Sequence, residues 1–121
     1  MPFSRLGPYD RTRLDDLVYR RRECTEHWAH EASIIPMTAW PLLRYRRQAH
    51  RVRPHGFDSF LRRDPGYARR IVREIRTRGP LTAAALPSPP GRDRRMPGAW
   101  VGTVPRAVCE AHFGRGTLAI A

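Results

Sequence analysis

The chain has 121 residues, enough for one ordinary domain or two very small ones, although 12 prolines and 9 glycines divide it into short segments. Its 23 basic residues, all arginines, exceed 11 acidic residues and give a net charge of +12. This charge predicts a polyanionic partner, and nucleic acid is favoured over an acidic protein or a membrane surface. Two distant cysteines argue against a disulfide framework. Without an apolar leader or an apolar run of about 18 residues, we expect a cytoplasmic protein with no membrane span.

The first helix is predicted to begin at Asp10, whose carboxylate can accept hydrogen bonds from the free amides of the first turn. Apolar side chains follow at helical spacing at Leu14, Leu17 and Val18. Residues 25–35 fit no single period, and we interpret them as an extended piece followed by a turn that Pro36 closes. A second helix is predicted from about Ala39 toward Arg53, with Pro41 in its first turn.

A third helix is predicted to begin with Asp64 as N-cap and Pro65 in the first position, and to end at Gly79. Its apolar stripe consists of Tyr67, Ala68, Ile71, Val72 and Ile75. A tight turn and a short helix over residues 81–86 would follow. This order of elements suggests the opening of a helix-turn-helix unit.

Residues 87–97 are rich in proline and arginine and are predicted to form a mobile basic loop. Beyond them, a helix is predicted to start near Pro105 with Val108, Cys109 and Phe113 on its apolar face. Residues 117–121 alternate weakly and are predicted to be a strand.

Three blocks of the sequence resemble one family of proteins. They read FSRLGPYD at residues 3–10, EHWAHEASIIP at 26–36 and PLLR at 41–44, in an order and spacing that resemble the AlkZ/YcaQ family of winged-helix DNA glycosylases. The resemblance implies a mainly α fold with minor β and winged-helix (helix-turn-helix) elements, incomplete at both ends. We therefore predict a partial first unit at 1–54 and a partial second unit at 55–121, in which residues 117–121 would be the first wing strand.

The family also implies repair of bulky alkylated bases, with a Gln-x-Gln or Gln-x-Asp motif that positions water. That motif lies upstream of the matched residues, and the only glutamine here is Gln48, which lacks such a neighbour. We therefore predict DNA binding without catalysis by this chain alone. The alternatives are a non-catalytic winged-helix regulatory protein and an unproductive truncated reading frame.

His30 and Glu31 match the family motif, so they are candidates to border the site that holds damaged DNA. The alternative, which we favour, is that His30 and Trp28 fill a core and hydrogen-bond the backbone. Cys24, His27, His30 and Glu31 have the chemistry of zinc ligands. However, no second ligand pair follows, and the resemblance implies other residue types at positions 24 and 27. We predict no metal and no cofactor.

The arginine clusters are the candidates for phosphate contact, because their summed charge supports sequence-independent binding to duplex DNA by a monomer. They comprise Arg20, Arg21, Arg22, Arg44, Arg46, Arg47, Arg51, Arg53, Arg92, Arg94, Arg95 and Arg106. The alternative for each cluster is that it is only a solvated helix face with no binding role. Trp40, Tyr45 and Trp100 lie among them and are predicted to be core residues rather than stacking platforms.

Overall fold

The first helix begins where the sequence predicts. The computed structural model describes residues 7–29, 32–48, 58–91 and 102–121. Helix α1 spans Arg11–Asp15, and the carboxylate of Asp10 accepts a hydrogen bond of 2.9 Å from the backbone N–H of Thr12. The helix continues as a π-helical turn over Asp16–Arg20, which buries Val18. The predicted N-cap is therefore confirmed.

A β-hairpin follows the π-helical turn. Strand β1 (Cys24–Trp28) pairs antiparallel with strand β2 (Ala32–Pro36). The extended conformation predicted at the start of residues 25–35 is confirmed by β1, but the turn predicted before Pro36 is wrong, because Ala32–Pro36 pairs as a second strand. The β-branched Ile34 and Ile35 favour this pleated conformation. Pro36 lies at the end of its strand, where a missing N–H costs least.

Two 3₁₀ turns, Met37–Ala39 and Pro41–Leu43, lead into helix α2 (Arg44–Gln48). The predicted second helix thus begins with tighter turns, with Pro41 in the first position of one of them. Its predicted continuation toward Arg53 lies outside the described residues.

Three helices form the main packing unit: α3 (Asp58–Arg63), α4 (Pro65–Arg78) and α5 (Val104–Gly114). The carboxylate of Asp64 accepts a hydrogen bond of 2.9 Å from the backbone N–H of Tyr67, so the predicted start of α4 is confirmed. Its predicted end is confirmed at Gly79, which has φ of 83°. The helix near Pro105 is also confirmed.

The core lies where these three helices meet. Its buried side chains are Leu61, Tyr67, Ala68, Ile71, Leu86, Val108 and Ala111. Two hydrogen bonds join the elements around it. The hydroxyl of Tyr67 donates to the carbonyl of Pro87 at 2.7 Å, and Nε2 of His112 lies 3.1 Å from the carbonyl oxygen of Ala68. Helix α5 is thereby tied to α4.

Two predictions in the second half are wrong in detail. Residues 81–86 contain a single 3₁₀ turn, Ala83–Ala85, in place of a short helix. Residues 117–121 form no strand. The N–H groups of Thr117 and Leu118 instead donate to the carbonyl of His112, at 2.9 and 3.3 Å. These bonds fold the segment back onto the end of α5, because a helix end leaves its last carbonyls free. They also use N–H donors that a wing strand would need for pairing.

Candidate nucleic-acid interface

The first arginine cluster lies at the end of the π-helical turn. Arg20, Arg21 and Arg22 are all exposed. Nε of Arg20 is 3.5 Å from a carboxylate oxygen of Asp16, and the guanidinium of Arg21 pairs with the carboxylate of Glu23. Exposed ion pairs of this kind contribute little to stability. These guanidinium groups therefore remain accessible to phosphate.

The second cluster, in α2, divides into two roles. Arg44 is exposed, whereas Arg46 and Arg47 are half-buried. The guanidinium carbon of Arg47 is 4.0 Å from the centre of the Trp40 ring, and its Nη1 donates to the carbonyl of Trp40 at 2.8 Å. Arg47 is thus engaged in holding Trp40 by a cation–π contact and a hydrogen bond.

Several predicted site residues lie outside the described part of the chain: His30, Glu31, Arg51, Arg53, Arg92, Arg94, Arg95 and Trp100. Arg106 is described and exposed at the start of α5, with its Nε 3.9 Å from a carboxylate oxygen of Glu110. The prediction that Tyr45 is a core residue is wrong, because 65% of its surface is exposed. A side chain just after a 3₁₀ turn on a short helix finds no core to enter there.

Helix α4 carries an arginine face that was absent from the predicted set. Arg69, Arg73 and Arg76 are exposed on the side opposite the fully buried Ile71. Their spacing of four and three residues places them on one stripe about 10 Å long, since a helix rises about 1.5 Å per residue. A row of positive charge of this length suits neighbouring phosphates of a DNA backbone. The spacing was readable in the sequence as the polar complement of the apolar stripe.

His27 is the buried polar side chain of the hairpin, with 1% of its surface exposed. Its ring centre lies 4.8 Å from that of Trp40 and 5.5 Å from that of Phe113, both in edge-to-face geometry. Neither ring nitrogen has a hydrogen-bond partner among the described residues. The sequence pattern gives no signal for this burial, because residues 25–35 fit no single period.

The strand geometry also decides whether the candidate zinc ligands can converge on one ion. Side chains three residues apart point to opposite faces of a strand, so Cys24 and His27 do not converge on one ion. The helical face that would have joined His27 to His30 and Glu31 is likewise absent over β1. Within the described ranges, no group of three or more histidine, cysteine, aspartate or glutamate side chains is placed to hold a metal.

A cavity of about 640 Å³ lies beside the buried histidine. It is open to solvent on one side and is lined by the hairpin, by Ile75 and residues 79–83 at the end of α4, by α5 and by residues 118–121. Trp28 and Phe113 line it with ring centres 6.4 Å apart. The indole N–H of Trp28 is buried without a hydrogen-bond partner among the described residues. This nitrogen has almost no accessible surface, so it does not face the cavity, whose wall is mainly apolar.

Two carboxylates border the same cavity. Glu26 accepts a hydrogen bond from the hydroxyl of Tyr19, which raises the pKa of that hydroxyl to about 12. Burial raises the pKa of Glu110, an effect that nearby Arg106 opposes. Burial also raises the pKa of the Cys109 thiol to about 11, so this cysteine is not a reactive thiolate at neutral pH.

The folded state is expected to lose stability as the pH falls from about 7 to about 5. His27 and His112 both have pKa values below the ordinary 6.5, first because burial disfavours the charged imidazolium. Below pH 6.5 these histidines bind protons more readily in the unfolded chain than in the folded chain, which favours unfolding. Urea denaturation at the two pH values measures the loss.

His27→Phe is the matched variant, because phenylalanine keeps an aromatic ring against Trp40 and Phe113 and does not titrate. Its denaturation midpoint is expected to change less with pH than that of the wild type. The raised pKa of Glu110 acts in the opposite direction in both proteins, since it favours the folded state as the pH falls. An equal pH dependence of the two proteins would show that His27 contributes nothing to it.

Comparison with known proteins identifies one family. A family model described as DNA glycosylase AlkZ-like matches residues 1–121. No solved structure matches the chain at a significant level. Among the described residues, no helix has both the length and the apolar character needed to cross a membrane.

Proposed function

We propose, from the premise that the chain belongs to the AlkZ-like DNA glycosylase family, that these 121 residues bind duplex DNA through its backbone phosphates. The family gives the chain a DNA-repair, glycosylase-like role. The proposal goes further in two respects: the lesions are bulky alkylated bases such as N7-alkylguanine, and the 121-residue chain binds without releasing the base. The resemblance of residues 3–10 and 26–36 to the family supports the lesion class.

The observation that carries the proposal is the exposed stripe formed by Arg69, Arg73 and Arg76 on α4. None of the three is in an ion pair within the part of the chain that the structure describes. Each phosphate that such a group neutralises releases a condensed counterion, which drives binding without regard to sequence. Arg20–Arg22 and Arg44 supply further exposed charge. With a net charge of +12, the chain also repels itself, which supports a monomer acting on DNA in the cytoplasmic nucleoid.

Binding to a fluorescently labelled duplex is expected to weaken steeply between about 50 and about 200 mM salt. The slope of log affinity against log salt should fall by about 2 in the double variant Arg73→Gln/Arg76→Gln, because two phosphate contacts are lost. Fluorescence anisotropy measures both quantities. The matched control is Arg11→Gln/Arg13→Gln, which removes equal charge from an exposed part of α1.

The control should retain most of the slope. If both double variants lower it equally, net charge and not the stripe governs binding, and the α4 surface is not the interface. If affinity is almost independent of salt, phosphate contact does not drive binding and the proposal fails. Sedimentation of the free protein as a dimer would contradict the monomer.

A second experiment measures base release from a duplex that carries N7-methylguanine. No base is expected to be released, because the only glutamine, Gln48, is followed two positions on by His50 and forms no Gln-x-Gln or Gln-x-Asp motif. Strand cleavage at abasic sites measures release. Release that is abolished by His30→Ala or Glu31→Ala would place catalysis within this chain and overturn the non-catalytic part. If a longer form that carries the motif upstream is also inactive, the regulatory DNA-binding alternative is favoured.

A further inference from the structure

Exposed apolar side chains are concentrated in one short stretch of the chain. Among the described residues, six large apolar side chains are exposed, and four of them lie within residues 34–45: Ile34, Met37, Leu42 and Tyr45. Leu42 and Tyr45 are the most exposed of the six, at 74% and 65%. Single apolar side chains on a surface are normal, whereas several grouped together mark a site of interaction. This stretch is therefore a candidate surface for a partner.

Leu42 and Tyr45 share one side of a continuous helical segment. Leu42 lies in the 3₁₀ turn Pro41–Leu43, and Tyr45 lies in α2, which follows without a break. Side chains three residues apart on a helix are neighbours, with Cβ atoms about 5–6 Å apart. The segment is anchored by Arg47, which lies over the Trp40 ring and donates to its carbonyl. It thus presents a fixed apolar pair, the Leu42–Tyr45 face, to solvent.

The charge around the Leu42–Tyr45 face has a single sign. Residues 32–57 contain five arginines and no aspartate or glutamate. Arg44, which lies between the two apolar residues in the sequence, is exposed and forms no ion pair within the part of the chain that the structure describes. Complementary charge selects partners and suppresses wrong ones. A partner that covers this face should therefore carry carboxylates next to apolar side chains.

A protein partner fits this face better than DNA, a membrane or a second copy does. A DNA backbone attracts Arg44 but gives Leu42 little apolar surface to pack on, and in α4, which carries the arginine stripe, no large apolar side chain is exposed. Tyrosine and arginine are enriched where proteins contact each other. Membrane binding increases with buried apolar area, of which two side chains offer little. A second copy would meet its own charge of +12.

We propose that the Leu42–Tyr45 face binds an acidic amphipathic segment of another protein. Apolar side chains of that segment pack on Leu42 and Tyr45, and its carboxylates pair with Arg44. Recognition of an amphipathic segment by a small apolar surface is a common mode of protein–peptide binding. The inference goes beyond the proposed function and does not depend on it, because the arginine stripe of α4 takes no part in this contact.

The test begins with a random peptide library displayed on phage and selected on the immobilised 121-residue protein. Counter-selection uses the double variant Leu42→Ser/Tyr45→Ser, which removes peptides that bind by charge alone. The recovered peptides should combine aspartate or glutamate with apolar residues. A synthetic peptide of the most enriched sequence is then measured by fluorescence anisotropy. Its affinity should fall about tenfold in Leu42→Ser and in Tyr45→Ser, as for central residues of an interface, and several-fold in Arg44→Gln.

Two control variants make the same chemical changes elsewhere on the surface. Ile120→Ser removes an apolar side chain that is 51% exposed near the end of the chain. Arg13→Gln removes an exposed charge from α1. Both should keep the affinity for the peptide. All substituted residues are exposed, so circular dichroism should show that each variant is folded.

Four outcomes would overturn the inference. The first is the recovery of no peptide that distinguishes the wild type from the double variant, and the second is equal loss of affinity in the control variants. The third is unchanged binding by a peptide whose carboxylates are replaced by amides. The fourth is that Leu42→Ser weakens binding to duplex DNA or to phosphatidylglycerol vesicles as much as binding to the peptide, which would assign the face to that ligand. Peptide binding without any duplex binding would overturn only the proposed function.

Discussion

Replacing Ile71 by alanine is expected to lower the free energy of unfolding by about 4 kcal/mol, in the upper part of the usual range for such truncations. Ile71 is completely buried and belongs to the cluster where α3, α4 and α5 meet. Side chains on three different helices cannot all move into the space that the isoleucine leaves, so most of the cavity would remain. Because a domain of this size is stable by only about 5–15 kcal/mol, the loss would be a large fraction of the total.

Chemical denaturation followed by circular dichroism measures this change. Ile34→Ala is the matched control, since it removes the same atoms from a side chain in β2 that is 38% exposed. It should cost less than about 1 kcal/mol. Equal losses in the two variants would mean that the helical cluster is not the stabilising core. A changed slope with denaturant would point to an altered unfolded state instead.

Gly116→Ala is expected to cost about 2–4 kcal/mol, because a left-handed backbone and a tight contact act together. Gly116 has φ of 73°, which disfavours any residue with a Cβ. A Cβ there would also lie 2.8 Å from both Cδ of Arg47 and Cζ2 of Trp40. Arg47 cannot easily yield, since it lies over the Trp40 ring and donates to its carbonyl.

Gly102→Ala separates the two causes. Gly102 has a similar φ of 71°, but a Cβ there would meet no atom of the described residues within 4 Å. This variant should therefore show only the backbone cost, about 1–2 kcal/mol. The difference between the two variants measures how tightly the turn after α5 is held against Trp40. If the variants lose equal stability, Arg47 and Trp40 make room for the methyl group at no cost.

The sequence by itself determined the points where helices begin and end. Asp10 and Asp64 cap the helices that follow them, Pro65 occupies the first position of α4, and Gly79 ends it. These predictions hold because the interactions are local: a side-chain oxygen accepts from an amide two or three residues away, and a glycine adopts a backbone that other residues avoid. The family resemblance likewise depends only on the order of residues along the sequence, and the family model matches residues 1–121.

Only the tertiary structure decided which of these residues become buried, paired or exposed. Thr117 and Leu118 alternate weakly like a strand, yet their amides donate to the carbonyl of His112, because the end of α5 leaves that carbonyl free and within reach. His27 is buried by Trp40 and Phe113, which come from 13 and 86 residues farther along the chain. The cavity is built from four separate segments for the same reason. A single sequence carries local hydrogen-bonding preferences, whereas burial depends on contacts between distant segments, which pattern and composition do not specify.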